Sequence, residues 1–245
     1  MKAMIFAAGI AKRLHPISEH TPKALVEIGG KTMLQRVAEK LIRAGARDIV
    51  INIHHHPEQM RRFIYHMDYP GARFFISDET SKLLDTGGGL VKAREWLEGD
   101  EPIVLHNVDV LSNIDIRAML SHHRLTRALA TLAVTRRSTA RYFLWKKGSL
   151  SGWENTESNE LILCDERPRE DLEQLAFSGI HIIQPELFDL ITEQGAFSIN
   201  GVYLRLAKNY HIHSFEHDPD FWADIGTPKK LDHARHLLTS HPGLF

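Results

Sequence analysis

Over residues 1–108, short apolar runs alternate with amphipathic stretches of about ten residues: MKAMIFA, TMLQRVAEKLIRAG, DIVINI, PEQMRRFIYHM, ARFFIS, GGLVKAREWL and PIVLHNV. Strand-type segments separated by helix-type segments imply βαβ units, and hence a parallel sheet covered by helices. In TMLQRVAEKLIRAG the apolar residues Met33, Leu34, Val37, Leu41 and Ile42 recur at helical spacing, and Gly45 stands where a C-terminal cap belongs. From TLAVT at 131 onward the pieces become strand-like, with RYFLWK, LSGW, LILC and AFSGIHII separated by polar turns. The second half is therefore expected to add antiparallel strands or a small β annex. Helices are expected around PELFDLIT and INGVYLRLAK, and a last one from Pro228, a favoured first helical residue.

Composition narrows the class. With 245 residues, 43% of them hydrophobic, the chain can bury a sizeable core, and one domain over 1–245 is expected. Thirty basic and 31 acidic residues leave a formal charge of −1. That balance argues against general binding to nucleic acid or to a membrane surface. No window approaches the ~20 apolar residues of a membrane span. The apolar start is broken at once by KRLHP, which is unlike a secretory leader. Cys164 is the sole cysteine, which removes disulfide frameworks and Cys-based zinc sites and fits a reducing compartment, the cytoplasm by default. The HHH run at 54–56 and the group His211, His213 and His217 raise a metal reading, but a zinc site needs further ligands in place. The triplet is expected instead to close a strand at a pocket rim.

Open parallel sheets place ligands at the carboxyl ends of their strands. The first such end carries Ala7, Ala8, Gly9 and Ala11, small residues that let backbone N–H groups approach an anion, followed by the cations Arg13 and Lys23. An arginine clamps two phosphate oxygens and a lysine supplies a point charge, a pairing suited to a polyphosphate. From spacing alone, a plain strand end with solvated cations fits equally well. The loop is neither G-x-G-x-x-G nor G-x-x-x-x-G-K-[ST], which weakens dinucleotide oxidoreductase and P-loop readings. Asn107 and Asp109 are expected on one strand face, as are Trp222 and Asp224. Either aspartate could equally be a turn or capping residue, and DTGGG at 85–89 could simply be a flexible cap before a helix.

The segment FAAGIAKRLHPISEHTPKAL resembles the signature of the sugar-phosphate nucleotidyltransferases, which make nucleoside-diphosphate sugars. LLDTGGGL, LHNVDVL, FSGIHIIQPELF and FWADIGTPKKL resemble later segments of that family in the expected order. The resemblance implies a three-layer α/β/α, Rossmann-like fold with a mixed, mostly parallel sheet and a small β annex. It further implies a nucleotide half over about 1–110 and a sugar-phosphate half over about 111–245. In this reading Arg13 and Lys23 are catalytic. Ala7, Ala8, Gly9, Ala11, Gly87, Gly88 and Asn107 bind nucleotide. Glu166, Arg167 and Gly179 bind the sugar phosphate, and Asp109 and Asp224 hold Mg²⁺. The implied substrates are a nucleoside triphosphate, UTP or GTP, and a sugar 1-phosphate. A monomer or small homo-oligomer serving cell-envelope sugar metabolism is expected. Two departures from the family pattern stand out: Ala11 and Val108 occupy positions where glycine is usual. If position 11 needs a positive φ, alanine there costs on the order of 1 kcal/mol. The rival reading is a nucleotide-sugar binding module of the same fold that does not catalyse transfer.

Overall fold

The computed structural model describes residues 1–240; residues 241–245, which the sequence reading includes in its single domain, lie outside the described residues. The first half follows the alternation in the sequence. Strand β1 (Lys2–Phe6) leads through short 3₁₀ turns and the small hairpin of β2 (Glu27–Ile28) and β3 (Lys31–Thr32) into α1 (Met33–Ala44). Then come β4 (Asp48–Ile53), α2 (Pro57–Tyr65), β5 (Arg73–Asp78), α3 (Asp85–Lys92), α4 (Arg94–Leu97) and β6 (Ile103–Asn107). Helix α1 begins at a capping box: Thr32 Oγ1 accepts from the Gln35 N–H, and Gln35 Oε1 accepts from the Thr32 N–H. It ends at Gly45, whose N–H bonds back to the carbonyls of Leu41 and Ile42. These local bonds satisfy groups that a helix end leaves open.

The second half supplies β7 (Val110–Ser112), α5 (Ile116–Thr126), β8 (Ala130–Thr135), β9 (Arg141–Lys146), β10 (Ser149–Asn155) and β11 (Glu160–Leu163). It closes with β12 (Glu173–Ile183), α6 (Leu187–Leu190), α7 (Ile199–Leu206), β13 (Ile212–Glu216), β14 (Trp222–Asp224) and α8 (Pro228–Ser240). The main sheet runs β11-β10-β13-β8-β12-β6-β1-β4-β5, with β9 paired to both β10 and β12. Only β10 and β12 run against the common strand direction. The expected antiparallel additions are thus present within a mostly parallel frame. A separate antiparallel ladder pairs β7 with β14.

Side-chain alternation divides the core in two. Ala3 and Ile5 of β1 face a cluster with Leu34, Val37 and Leu41 of α1, Met60 of α2 and Met119 of α5. Met4 and Phe6 face the other way, toward Leu90 of α3, Leu97 of α4, and Ile199, Val202 and Tyr203 of α7. Period two along the strand therefore gives helices on both faces, which is the three-layer arrangement. A third cluster joins Leu14, Ile28 and Leu111 to Ile225, Leu231 and Leu238, packing α8 under the first loop and the β7–β14 ladder.

Two local expectations are corrected. DTGGG is not a loop: Asp85 to Gly89 form the first turns of α3. Its glycines allow close packing, since a Cβ on Gly87 would lie 2.2 Å from the Phe197 ring and one on Gly88 would lie 2.2 Å from the Gly195 carbonyl oxygen. Asp109 is not on a strand either; it occupies the turn between β6 and β7, while Val108 is buried.

A candidate active site at the strand ends

The loop after β1 is fixed from across the sheet. The Ala7 and Ala8 N–H groups donate to Asn52 Oδ1 at 2.6 and 3.2 Å. Those amides are therefore held by the Asn52 side chain. Gly9, next along, is exposed. Asn52 in turn donates from Nδ2 to Glu79 Oε1 at 2.7 Å, and the Leu84 N–H donates to Glu79 Oε2 at 3.0 Å. Glu79 is fully buried, a placement a carboxylate tolerates only when its oxygens are hydrogen-bonded. A cavity of about 100 Å³ lies beside this pair, lined by Phe6, Gly9, Asp85 and Thr86 among others. The backbone amides of Gly87 and Gly88 donate to the Phe197 carbonyl, at 2.9 and 3.4 Å, so they too are engaged within the protein.

Ala11 takes the left-handed conformation, φ 55° and ψ 38°. Position 11 thus has the positive φ that favours glycine, and the alanine is accommodated there. Farther along, the Nε2 atoms of His55 and His56 each lie 3.1 Å from the Ser18 carbonyl oxygen. His54 Nδ1 lies 2.7 Å from the Glu79 carbonyl oxygen. The histidine triplet thus follows β4 at the site's rim and clasps the loop.

Four charged residues singled out in the sequence come together. Lys23 forms an ion pair with Asp109. The β7–β14 register sets Asp224 opposite Val110, and the Ile225 N–H donates to the Asp109 carbonyl at 3.0 Å. A Cβ on Gly226 would stand 2.8 Å from Asp224 Oδ1, 3.5 Å from Arg13 Nη2 and 3.8 Å from Lys23 Nζ. Three charged side chains therefore surround one point, with Asp109 tied to the same ammonium. Burial resists ionisation of Asp224. Hydrogen bonds from Lys230 Nζ at 2.5 Å and the Gly226 N–H at 3.0 Å, together with the charges of Lys230 and Lys23, outweigh it and hold the carboxyl below its usual range. The turn after Asp224 was part of the FWADIGTPKKL motif, but the role of Lys230 escaped the sequence reading; the signal for it was its place one helical turn into α8.

Toward β12, Gly179 is buried with φ +75°, and a Cβ there would lie 2.8 Å from Asn107 Nδ2. Asn107 and Gly179 are thus neighbours. Trp222 Nε1 donates to the Ser178 carbonyl at 2.8 Å, and the guanidinium of Arg137 lies over the Trp222 ring at 4.1 Å. Glu166 and Arg167 are exposed. Arg167 pairs with Asp165 at 3.0 Å and reaches Ser151 Oγ at 3.3 Å. Among the described residues, neither is hydrogen-bonded or ion-paired to Asp109 or Asp224.

The donor chemistry fits a hard divalent cation. Asp109 and Asp224 already engage cationic side chains, Asp109 pairing with Lys23 and Asp224 with Lys230 at 2.5 Å. Among the described residues, no group of three or more His, Cys, Asp or Glu side chains converges to cage a metal unaided. Two carboxylates completed by substrate oxygens are a usual magnesium arrangement. Among the described residues, no helix is long and apolar enough to cross a membrane.

The sequence profile described as Nucleotidyl transferase matches residues 2–241. Mannose-1-phosphate guanyltransferase of Schizosaccharomyces pombe is 30% identical over 233 residues, covering 94% of this chain and 62% of that protein. The Saccharomyces cerevisiae protein of the same description is 28% identical over 232 residues, with the same coverage. The chain thus spans about three-fifths of the length of these relatives. Among solved structures, UDP-glucose pyrophosphorylase complexed with UDP-glucose superposes with a TM-score of 0.77 at 17% identity, covering 98% of this chain and 99% of that one. UDP-glucose pyrophosphorylase from Acinetobacter baumanii gives 0.77 at 15% identity, covering 99% and 95%. At such identities the likeness is one of fold.

Proposed function

Because the chain belongs to the Nucleotidyl transferase family, we propose that it is a magnesium-dependent sugar-1-phosphate nucleotidyltransferase using UTP or GTP. The observation that carries this reading is the convergence of Arg13, Lys23 and Asp224 around Gly226, with Asp109 paired to Lys23. A reaction between two polyanions needs positioning and charge neutralisation above all, and no protein nucleophile. An oxygen of the sugar phosphate forms a bond to the α-phosphorus in line as the bond from that phosphorus to the bridging β-phosphate oxygen breaks, releasing pyrophosphate. Arg13 is placed to clamp the departing phosphates, and Lys23 to offset charge that builds on them. Lys230 and the Gly226 N–H hold Asp224 ionised and oriented. A magnesium ion held by Asp109 and Asp224 would supply Lewis-acid stabilisation of the phosphoryl oxygens. The cavity beside Gly9, with Asp85 and Thr86 on its wall, is the space offered to the nucleoside. Asn107 and Gly179 border the acceptor. The single cysteine, which fits a reducing compartment, supports a cytoplasmic setting for this chemistry.

The test is pyrophosphate release with Mg²⁺ across UTP, GTP, CTP, ATP and dTTP. Each is paired with mannose, N-acetylmuramic acid, heptose, glucose and N-acetylglucosamine 1-phosphates. GTP with mannose 1-phosphate heads the panel because the relatives above are mannose-1-phosphate guanyltransferases. Release with one pair, abolished by EDTA and cut about a thousandfold in Asp109→Ala and Asp224→Ala, is the expected outcome. Nucleotide-sugar binding with no release from any pair would replace it with the non-catalytic binding module.

A further inference from the structure

Arg137 follows the end of β8 and is half-buried. Its Nη2 donates to the Phe177 carbonyl at 2.9 Å, and its planar face lies on Trp222. Its Nε is enclosed and lacks a hydrogen-bond partner among the described residues. No carboxylate pairs with it there, whereas the adjacent Arg136 pairs with Glu173, Glu216 and Asp218. Burial lowers the proton affinity of the Arg137 guanidinium, and the charge of Asp224 partly restores it, which places the two groups within electrostatic reach.

An arginine half out of water with open donors and no counter-ion is costly unless an anion completes it. Stacking on an indole fixes the plane of the guanidinium, and with Nε enclosed and Nη2 bonded to the Phe177 carbonyl, Nη1 is the end left to meet an oxyanion. The platform is itself anchored, since Trp222 donates to the Ser178 carbonyl, one residue before Gly179. Trp222 and Asp224 sit two apart on β14 and so share a face. Arg137 therefore stands beside Gly179 and Asp224, at the acceptor end of the site.

Resting on the transferase reading, we propose that Arg137, held flat on Trp222, binds an anionic oxygen of the acceptor sugar. That oxygen belongs to the 1-phosphate or to a carboxylate on the sugar itself. The assignment takes the place of Arg167, which is exposed and paired with Asp165.

Calorimetric titration of the full chain with Mg²⁺ tests this, using wild type, Arg137→Gln and Arg137→Lys. The ligands are mannose 1-phosphate, N-acetylmuramic acid without phosphate, and GTP or UTP. In Arg137→Gln, acceptor binding should weaken about tenfold or more, as loss of a charge-assisted hydrogen bond predicts, while triphosphate binding stays within about twofold. Arg137→Lys should recover part of the loss and, by keeping the charge, guards against a folding defect. A selective loss for mannose 1-phosphate identifies the phosphate as the bound anion; a selective loss for N-acetylmuramic acid identifies the carboxylate. In Trp222→Phe, the tryptophan fluorescence change that accompanies acceptor binding should vanish. Unchanged acceptor binding in Arg137→Gln, or an equal fall for triphosphate, overturns the Arg137 assignment alone. A wild type that binds triphosphate but no sugar 1-phosphate overturns the transferase reading with it.

Discussion

Ala11 carries its side chain in a backbone region that favours glycine, φ 55°. Alanine there costs on the order of 1 kcal/mol, part of which the packing of its methyl against the third core cluster returns. Ala11→Gly should raise stability by about 0.5–1 kcal/mol, read as a higher urea midpoint, with turnover within about threefold of wild type. A lower midpoint would mean that methyl packing outweighs the strain. At this scale the charged residues were legible: Arg13, Lys23, Asp109 and Asp224 were singled out from their motifs, and they do come together. The polar partners were not. Asn52 lies 45 residues from Ala7, and nothing in DIVINI marks its side chain as the acceptor for two amides. Arg137 escaped notice because an Arg-Arg pair between two strands reads as surface; only Trp222, far along the chain, makes Arg137 otherwise.

The ladder of β7 and β14 carries one aspartate at its end and borders the other, and it is braced from α1. Lys40 Nζ donates to the Ser112 carbonyl at 2.7 Å and to its hydroxyl at 2.9 Å. Burial pushes the Lys40 ammonium down to about 7, with Asp220 opposing, Arg43 adding to the fall and Asp115 opposing it. The sign follows from the proton balance. Between pH 7 and the ordinary lysine range the unfolded chain holds a proton that the folded chain has released, so stability rises with pH there. Between pH 6.5 and 9.5, wild type should gain up to about 3 kcal/mol relative to Lys40→Met, measured by denaturant midpoints at the two pH values. Parallel curves would mean that Lys40 keeps its proton. Elements were mostly readable from periodicity, and α1 and the strands of the first half lie where the pattern sets them. Helix α3 was the exception. Three consecutive glycines argue for a loop on propensity, but Gly87 and Gly88 must be bare to pack against the segment that carries Gly195 and Phe197, and Gly89 to pack against Glu79 and Asn52, so tertiary contact overrides the local preference.

Across the whole molecule, the sheet buries histidines that must stay neutral. His106 on β6 and His181 on β12 are both enclosed, and burial pushes each down to about 3; the charge of Lys40 also lowers His106. Such groups add stability above the unfolded histidine range near pH 6.5 and lose it as pH falls toward their folded values. The protein should therefore unfold progressively in acid. Between pH 6.5 and 4, His181→Asn should lose up to about 3 kcal/mol less than wild type, read from thermal or denaturant midpoints. An equal loss would mean that His181 does not set the acid limit. The layered plan was visible in the alternation of the first half, and the counter-running β12 and β10 were foreshadowed only as a change of texture after residue 131. Strand order could not be read, because pairing β12 between β6 and β8 depends on contacts distant in sequence. The chain of bonds from Ala7 and Ala8 through Asn52 and Glu79 to Leu84 has a practical bearing on redesign. It welds the first loop and the entrance of α3 into a single chassis, so if the cavity takes the nucleoside as proposed, a library meant to change nucleobase choice belongs on its other lining residues, Leu83, Asp85 and Thr86, with the asparagine and the glutamate kept as fixed framework.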